Sequence, residues 1–138
     1  MEILTELLQS GRVRAIGCSN FTLKQLQAAN ALYKQGYVPF TWTEPVYNLL
    51  ARDIEQGEHE YCKKNAIGVI TYSPLAAGFL TGKYAGASRP FPAGNRFDTV
   101  PAHRGLYFSP QNFEMVKNLA RLAAECRMPV YRLAMGWS

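Results

Sequence analysis

Apolar positions along the chain switch between two periods, and the switches mark successive elements. Ile3, Leu4, Leu7 and Leu8 recur at the spacing of one helix face, and Gly11 follows as a stop. The segment RVRAIGCSN is then short and β-prone, with Val13 and Ile16 as its bulky members. Thr22 and Gln25 match a capping box, in which the threonine oxygen takes an orphan N–H and the glutamine reaches back. The helix they open carries Leu23, Leu26, Ala29 and Leu32 and closes at Gly36. YVPFTWTEPVYN is a second extended segment, with Pro39 near its start, where a missing N–H is tolerated. A third helix is expected from Asp53, carrying Ile54, Tyr61 and Cys62. Lys63 and Lys64 fall in its last turn, where cations favour the helix dipole, and Asn65 is placed to form a left-handed cap. AIGVITYS completes the series as a third strand, with Ile67, Val69 and Ile70.

Helix and strand thus alternate three times, which predicts an α/β protein with parallel strands. The stretch from Pro74 to Phe108 departs from this rhythm. It holds Pro74, Pro90, Pro92 and Pro101 with five glycines and no sustained period, and reads as a long functional loop. Ser109-Pro110 restarts a helix with a serine cap and proline at the first position. Its buried face is expected to be Phe113, Val116, Leu119, Leu122 and Ala123. A last helix begins near Pro129, with Leu133 and Trp137, and the chain is expected to be cut rather than finished at Ser138.

Composition narrows the function classes. The 138 residues are 48% hydrophobic and 18% charged, as in an ordinary globular protein with a usable core. The net charge of +5 permits an anionic cofactor, but the basic residues are scattered and no nucleic-acid motif occurs. Cys18, Cys62 and Cys126 are odd in number and far apart, which fits neither a disulfide framework nor a zinc site. Reduced thiols, no signal peptide and no 18-residue apolar span together predict a cytoplasmic chain without a membrane crossing. Asn20-Phe21-Thr22 matches the glycosylation pattern by chance on that reading.

Candidate chemistry gathers where the strands end. The first strand runs into Ser19-Asn20, the second into Glu44 with Asn48 just beyond, and the third into Tyr72-Ser73. In parallel α/β folds these carboxyl ends face the ligand crevice. The segment from Gly78 to Lys83 imitates a phosphate loop, but it is one residue short and Tyr84 replaces the magnesium-holding hydroxyl. Neither a G-x-G-x-x-G dinucleotide fingerprint nor a G-x-S-x-G nucleophile elbow is present.

Three ordered blocks, GRVRAIGCSNF, EPVYNLLARDIE and GVITYSPLAAGFLTGKY, resemble signature blocks of the aldo-keto reductase superfamily. The likeness covers essentially the whole chain. It implies a partial (β/α)8 TIM barrel, roughly strands five to seven, belonging to an NADP(H)-dependent oxidoreductase that reduces aldehydes or ketones. Ser19 and Asn20 then correspond to the pair that hydrogen-bonds the nicotinamide carboxamide. Glu44 stands where the family usually has glutamine, and an ionised glutamate can only accept hydrogen bonds; Val46 also departs from a common glutamate. Tyr72 matches the aromatic that stacks on the nicotinamide ring. Ser73, Leu75, Ala76 and Gly78 match the segment that wraps the pyrophosphate, and Lys83 and Arg96 the basic residues of the covering loop.

The same resemblance implies what this stretch lacks. The family's catalytic tyrosine, lysine, aspartate and histidine belong to the first half of the barrel, and their motifs do not occur here. The chain alone is therefore expected to be inactive, with a small carbonyl compound as the parent protein's substrate. Two alternatives stay open: a cofactor-sensing binding subunit like the potassium-channel β subunits, and a half-barrel that pairs with another chain or with itself. A flavodoxin-like domain is a fold-level fallback supported only by the βαβ order.

Overall fold

The computed structural model describes residues 1–84 and 94–138. Residues of the 74–108 segment such as Pro90 and Pro92 lie outside them. The chain divides into two compact units, one of Met1–Val46 with Arg52–Tyr72, the other of Tyr47–Ala51 with Ser73–Ser138.

The first unit is a three-stranded parallel sheet with helices between its strands. Its elements are α1 (Glu2–Gln9), β1 (Gly17–Ser19), α2 (Leu23–Ala31), β2 (Trp42–Glu44), α3 (Glu58–Lys64) and β3 (Gly68–Val69). The order across the sheet is β1-β2-β3, with Ser19 opposite Glu44 and Thr43 opposite Val69. The capping box of α2 forms as the spacing predicts: the Thr22 oxygen accepts from Gln25 N, and Gln25 Oε1 accepts from Thr22 N. Ile16, Cys18, Leu26, Phe40, Cys62 and Ile67 make the core, and Phe21 meets Phe40 edge to face at 5.7 Å.

The strands are shorter than the apolar runs that announce them. Val13 precedes β1 altogether, and Ile70 is 56% exposed beyond β3. Pro45 supplies the reason on the second strand: it has no N–H to donate, so the ladder stops at Glu44 and resumes as a single bridge between Val46 and Tyr72. Its carbonyl still works, accepting from Tyr72 N at 3.1 Å.

Two helix ends also differ from expectation. Asp53–Glu55 is a separate 3-10 turn, and α3 starts only at Glu58, because Gly57 at φ +110 interrupts the helical path. Asn65 is not left-handed (φ −106); its amide nitrogen donates to Tyr61 O, and Ala66 takes the left-handed turn.

The second unit is built on α6 (Pro110–Glu125) and α7 (Val130–Trp137), with the short helices α4 (Arg96–Thr99) and α5 (Ala102–Tyr107) before them. Ser109 caps α6 by accepting from Asn112 N, with Pro110 in its first turn, as the sequence predicts. Val116, Leu119 and Ala123 are buried, whereas Leu122 is 48% exposed and leaves the expected stripe.

The segment without a sustained period is organised by rings instead. Phe79 is 1% exposed, and Tyr84, Phe97, Tyr107, Phe108 and Phe113 surround it with ring centroids 5.0–6.4 Å away. Each such pair adds about 0.5–1.5 kcal/mol beyond its buried area. The described residues of this stretch thereby share a core, with a 3-10 turn at Ala76–Thr81 and two short helices.

Candidate functional site

The carboxyl end of the first unit's sheet brings four of the expected residues together. Asn20 leaves β1 in a left-handed conformation, φ 58, which a short polar side chain tolerates. Its backbone N–H donates to Glu44 O at 3.2 Å, and Ser19 Oγ donates to the same carbonyl at 2.9 Å. Tyr72 Oη donates to Asn20 Oδ1 at 2.8 Å. Because β1 and β3 flank β2, this bond reaches from one edge of the sheet to the other.

The donors and acceptors left over are specific. The Ser19 hydroxyl directs its hydrogen at Glu44 O, so lone pairs are what it offers outward. The Asn20 oxygen is taken by Tyr72, so its NH2 is what remains to donate. Ser19 and Asn20 are exposed, and Glu44 and Tyr72 are half-buried. An amide ligand such as a nicotinamide carboxamide needs both an acceptor and a donor, and this set supplies both. The Tyr72 ring, anchored through its hydroxyl, adds an aromatic surface beside them. The residues therefore fit that group.

The remaining expected residues lie in the second unit. Ser73 (φ 57), Ala76 (φ 48), Ala77 (φ 56) and Gly78 (φ 89) follow one another with positive φ at four of six successive positions, with Leu75 (φ −102) among them. Such conformations cost non-glycine residues free energy and cluster at ligand-binding segments. Two of the segment's N–H groups close turns within it, Ala76 N donating to Ser73 O and Gly78 N to Leu75 O, both at 2.9 Å. Lys83 folds back over this segment: a Cβ built on Gly78 would lie 3.5 Å from its Nζ, which also stands 5.0 Å from the Tyr84 ring centroid. That distance suits a cation–π contact. Arg96 is exposed in the first turn of α4.

Two positions without an assigned role in the sequence reading hold these segments. Asn48 is fully buried in the second unit. Its Nδ2 donates to Ser73 O at 3.0 Å, while its Oδ1 accepts from Leu50 N at 2.8 Å and Ala51 N at 3.1 Å. An asparagine followed by an apolar turn is the available signal, since its side chain bonds backbone two residues on. The other is Trp42 in the first unit. A Cβ on Gly17 would lie 2.3 Å from the indole, so β1 must carry glycine where the ring lies against it.

The opposite side of the same sheet carries a buried polar chain. Cys18 Sγ donates to Thr43 Oγ1 at 3.7 Å, and Thr43, fully buried, hydrogen-bonds Glu58 at the start of α3. Burial pushes the Glu58 carboxyl above the ordinary 4.5, a rise the Thr43 bond opposes. Among the described residues its Oε1 has no hydrogen-bond partner. The thiols of Cys18 and Cys62 are raised above 9.0, first by burial; the Glu58 charge also contributes to both. All three cysteines are free thiols, Cys126 being exposed. Among the described residues no helix is long and apolar enough to cross a membrane, and no three metal-ligating side chains cluster.

The chain is similar to oxidoreductases over its whole length. A putative aryl-alcohol dehydrogenase of Schizosaccharomyces pombe is 30% identical, the match covering 100% of this chain and 42% of that protein. The aldo-keto reductase YhdN of Bacillus subtilis is 38% identical over 59% of this chain and 23% of its own length. Among solved structures, the glycerol dehydrogenase of Gluconobacter oxydans superposes with a TM-score of 0.69 at 29% identity, covering 97% of this chain and 39% of that one. The chain thus spans less than half the length of the relatives it matches. The aldo/keto reductase family pattern matches residues 1–138. The chain belongs to the aldo/keto reductase family, and its parallel strands alternating with helices are part of that family's (β/α)8 barrel.

Proposed function

We propose that this chain forms part of the cofactor-binding wall of an NADP(H)-dependent reductase of aldehydes and ketones, corresponding to roughly strands five to seven of the barrel. The observation that carries the reading is the Tyr72–Asn20 hydrogen bond of 2.8 Å across the strand ends, with Ser19 and Glu44 between. The donor set is that of an amide-binding site with an aromatic floor. One of the relatives is named for NADP(+), the aldo-keto reductase yakc of Schizosaccharomyces pombe at 27% identity.

When bound, the dinucleotide supplies the hydride. Asn20 would donate to the carboxamide oxygen, and Ser19 and Glu44 would accept from its NH2. Tyr72 would stack on the nicotinamide ring. The segment holding Ser73, Leu75, Ala76 and Gly78 would hold the pyrophosphate, with Lys83 and Arg96 supplying positive charge to it. None of these residues moves a proton to the substrate, so residues 1–138 alone are read as inactive.

The test is a fluorescence titration of the full-length protein with NADPH and NADH, repeated for Tyr72→Ala and Asn20→Ala. NADPH binding weakened about tenfold or more by each substitution is the expected result. Tight NADPH binding that ignores both substitutions places the nicotinamide elsewhere and overturns the proposal.

A further inference from the structure

Glu44 is held by its backbone and unengaged through its side chain. Its carbonyl accepts two hydrogen bonds, from Ser19 Oγ at 2.9 Å and Asn20 N at 3.2 Å. It pairs in register with Ser19, so the two side chains leave the same face of the sheet. Among the described residues no hydrogen bond or ion pair reaches its half-buried carboxylate. An unpaired carboxylate on a backbone-anchored residue therefore stands beside the Ser19–Asn20–Tyr72 group.

We propose that the Glu44 carboxylate sets the redox-state preference of this site, favouring the cationic oxidised nicotinamide over the neutral reduced one. The inference rests on the cofactor reading above. Its physical basis is a difference of one charge: the oxidised ring is positive, the reduced ring neutral, and every phosphate is the same in both. Phosphate contacts therefore cancel in the ratio of affinities, and a nearby carboxylate does not. A preference of about tenfold corresponds to about 30 mV in a two-electron couple. Stabilising the oxidised form lowers the bound couple's potential, which makes the reduced cofactor a stronger hydride donor.

The experiment measures dissociation constants of NADP+ and NADPH for the full-length protein, for Glu44→Gln and for Glu44→Asp, by calorimetry at low salt. Glutamine keeps the size and an acceptor and removes the charge. The expected result is an affinity ratio displaced about tenfold towards NADPH in Glu44→Gln and held in Glu44→Asp. Raising the ionic strength is expected to shrink the unchanged protein's NADP+ preference and leave the glutamine variant's ratio flat. A ratio within twofold in Glu44→Gln, with both forms bound, overturns this inference and leaves the cofactor reading standing. Binding that ignores Tyr72→Ala removes both. Should the glutamine variant not fold, a salt-independent ratio in the unchanged protein is the overturning result.

Discussion

Tyr72 and Asn20 lie 52 residues apart in the chain and meet at 2.8 Å through the tyrosine hydroxyl and the amide oxygen. The bond ties the orientation of the tyrosine ring to that of the amide.

Removing the hydroxyl separates the two contributions. Tyr72→Phe keeps the ring and loses the bond, with an expected stability loss of about 0.5–1.5 kcal/mol. NADPH affinity is expected to fall by a few-fold, less than in Tyr72→Ala. Chemical denaturation and fluorescence titration read the two quantities, and a Tyr72→Phe protein as defective as Tyr72→Ala would deny the ring its role.

Asn48 should be intolerant of substitution. It satisfies Ser73 O, Leu50 N and Ala51 N from a fully buried position. Asn48→Ala strands Leu50 N, while Ser73 O keeps its bond from Ala76 N and Ala51 N its bond to the backbone carbonyl of residue 48; one buried unsatisfied group costs about 1–3 kcal/mol. A urea midpoint shift equivalent to about 1–3 kcal/mol is expected, and a neutral result would show that water reaches the turn.

Gly17→Ala tests the close approach of Trp42. The added methyl falls 2.3 Å from the indole, so the ring or the strand must move. Such overpacking costs typically about 1–3 kcal/mol. Tryptophan fluorescence should shift, and adding Trp42→Ala should recover part of the loss. Full stability in the single variant would sink the packing argument.

Glu58 gives the first unit a pH dependence of defined sign. Its folded pKa is raised above the ordinary 4.5, first by burial, so the unfolded state ionises more readily. The associated stability is fully present below about 4.5 and is lost as pH rises through the folded value. Denaturation midpoints from pH 4.5 upward should therefore decline in the unchanged protein, and this part of the decline should vanish in Glu58→Gln. The groups facing Glu58 are Thr43 and the thiols of Cys18 and Cys62. Both thiols are raised above 9.0, so their own contribution falls away only at alkaline pH. An identical pH profile for Glu58→Gln would refute the assignment.

Local rules in the sequence were enough to determine the order of elements and the better helix starts. The Thr22–Gln25 box and the Ser109-Pro110 cap involve atoms three residues apart, so nothing distant is needed to predict them. The placement of Ser19 and Glu44 at strand ends was likewise legible, because parallel strands all deliver their carboxyl ends to one side, whereas β3 ends at Val69 and Tyr72 lies beyond it in an isolated bridge. Where strands stop was not, since ladder length depends on the partner: Pro45 interrupts pairing that Tyr72 and Val46 resume. The described residues of the 74–108 segment pack by rings around Phe79, and contacts between distant rings leave no repeat in the sequence. The donor and acceptor assignment at the site is tertiary throughout. Which hydrogen Ser19 keeps, which amide atom Asn20 presents and which bonds leave Glu44's carboxylate unpaired are settled only when three strand ends are brought side by side.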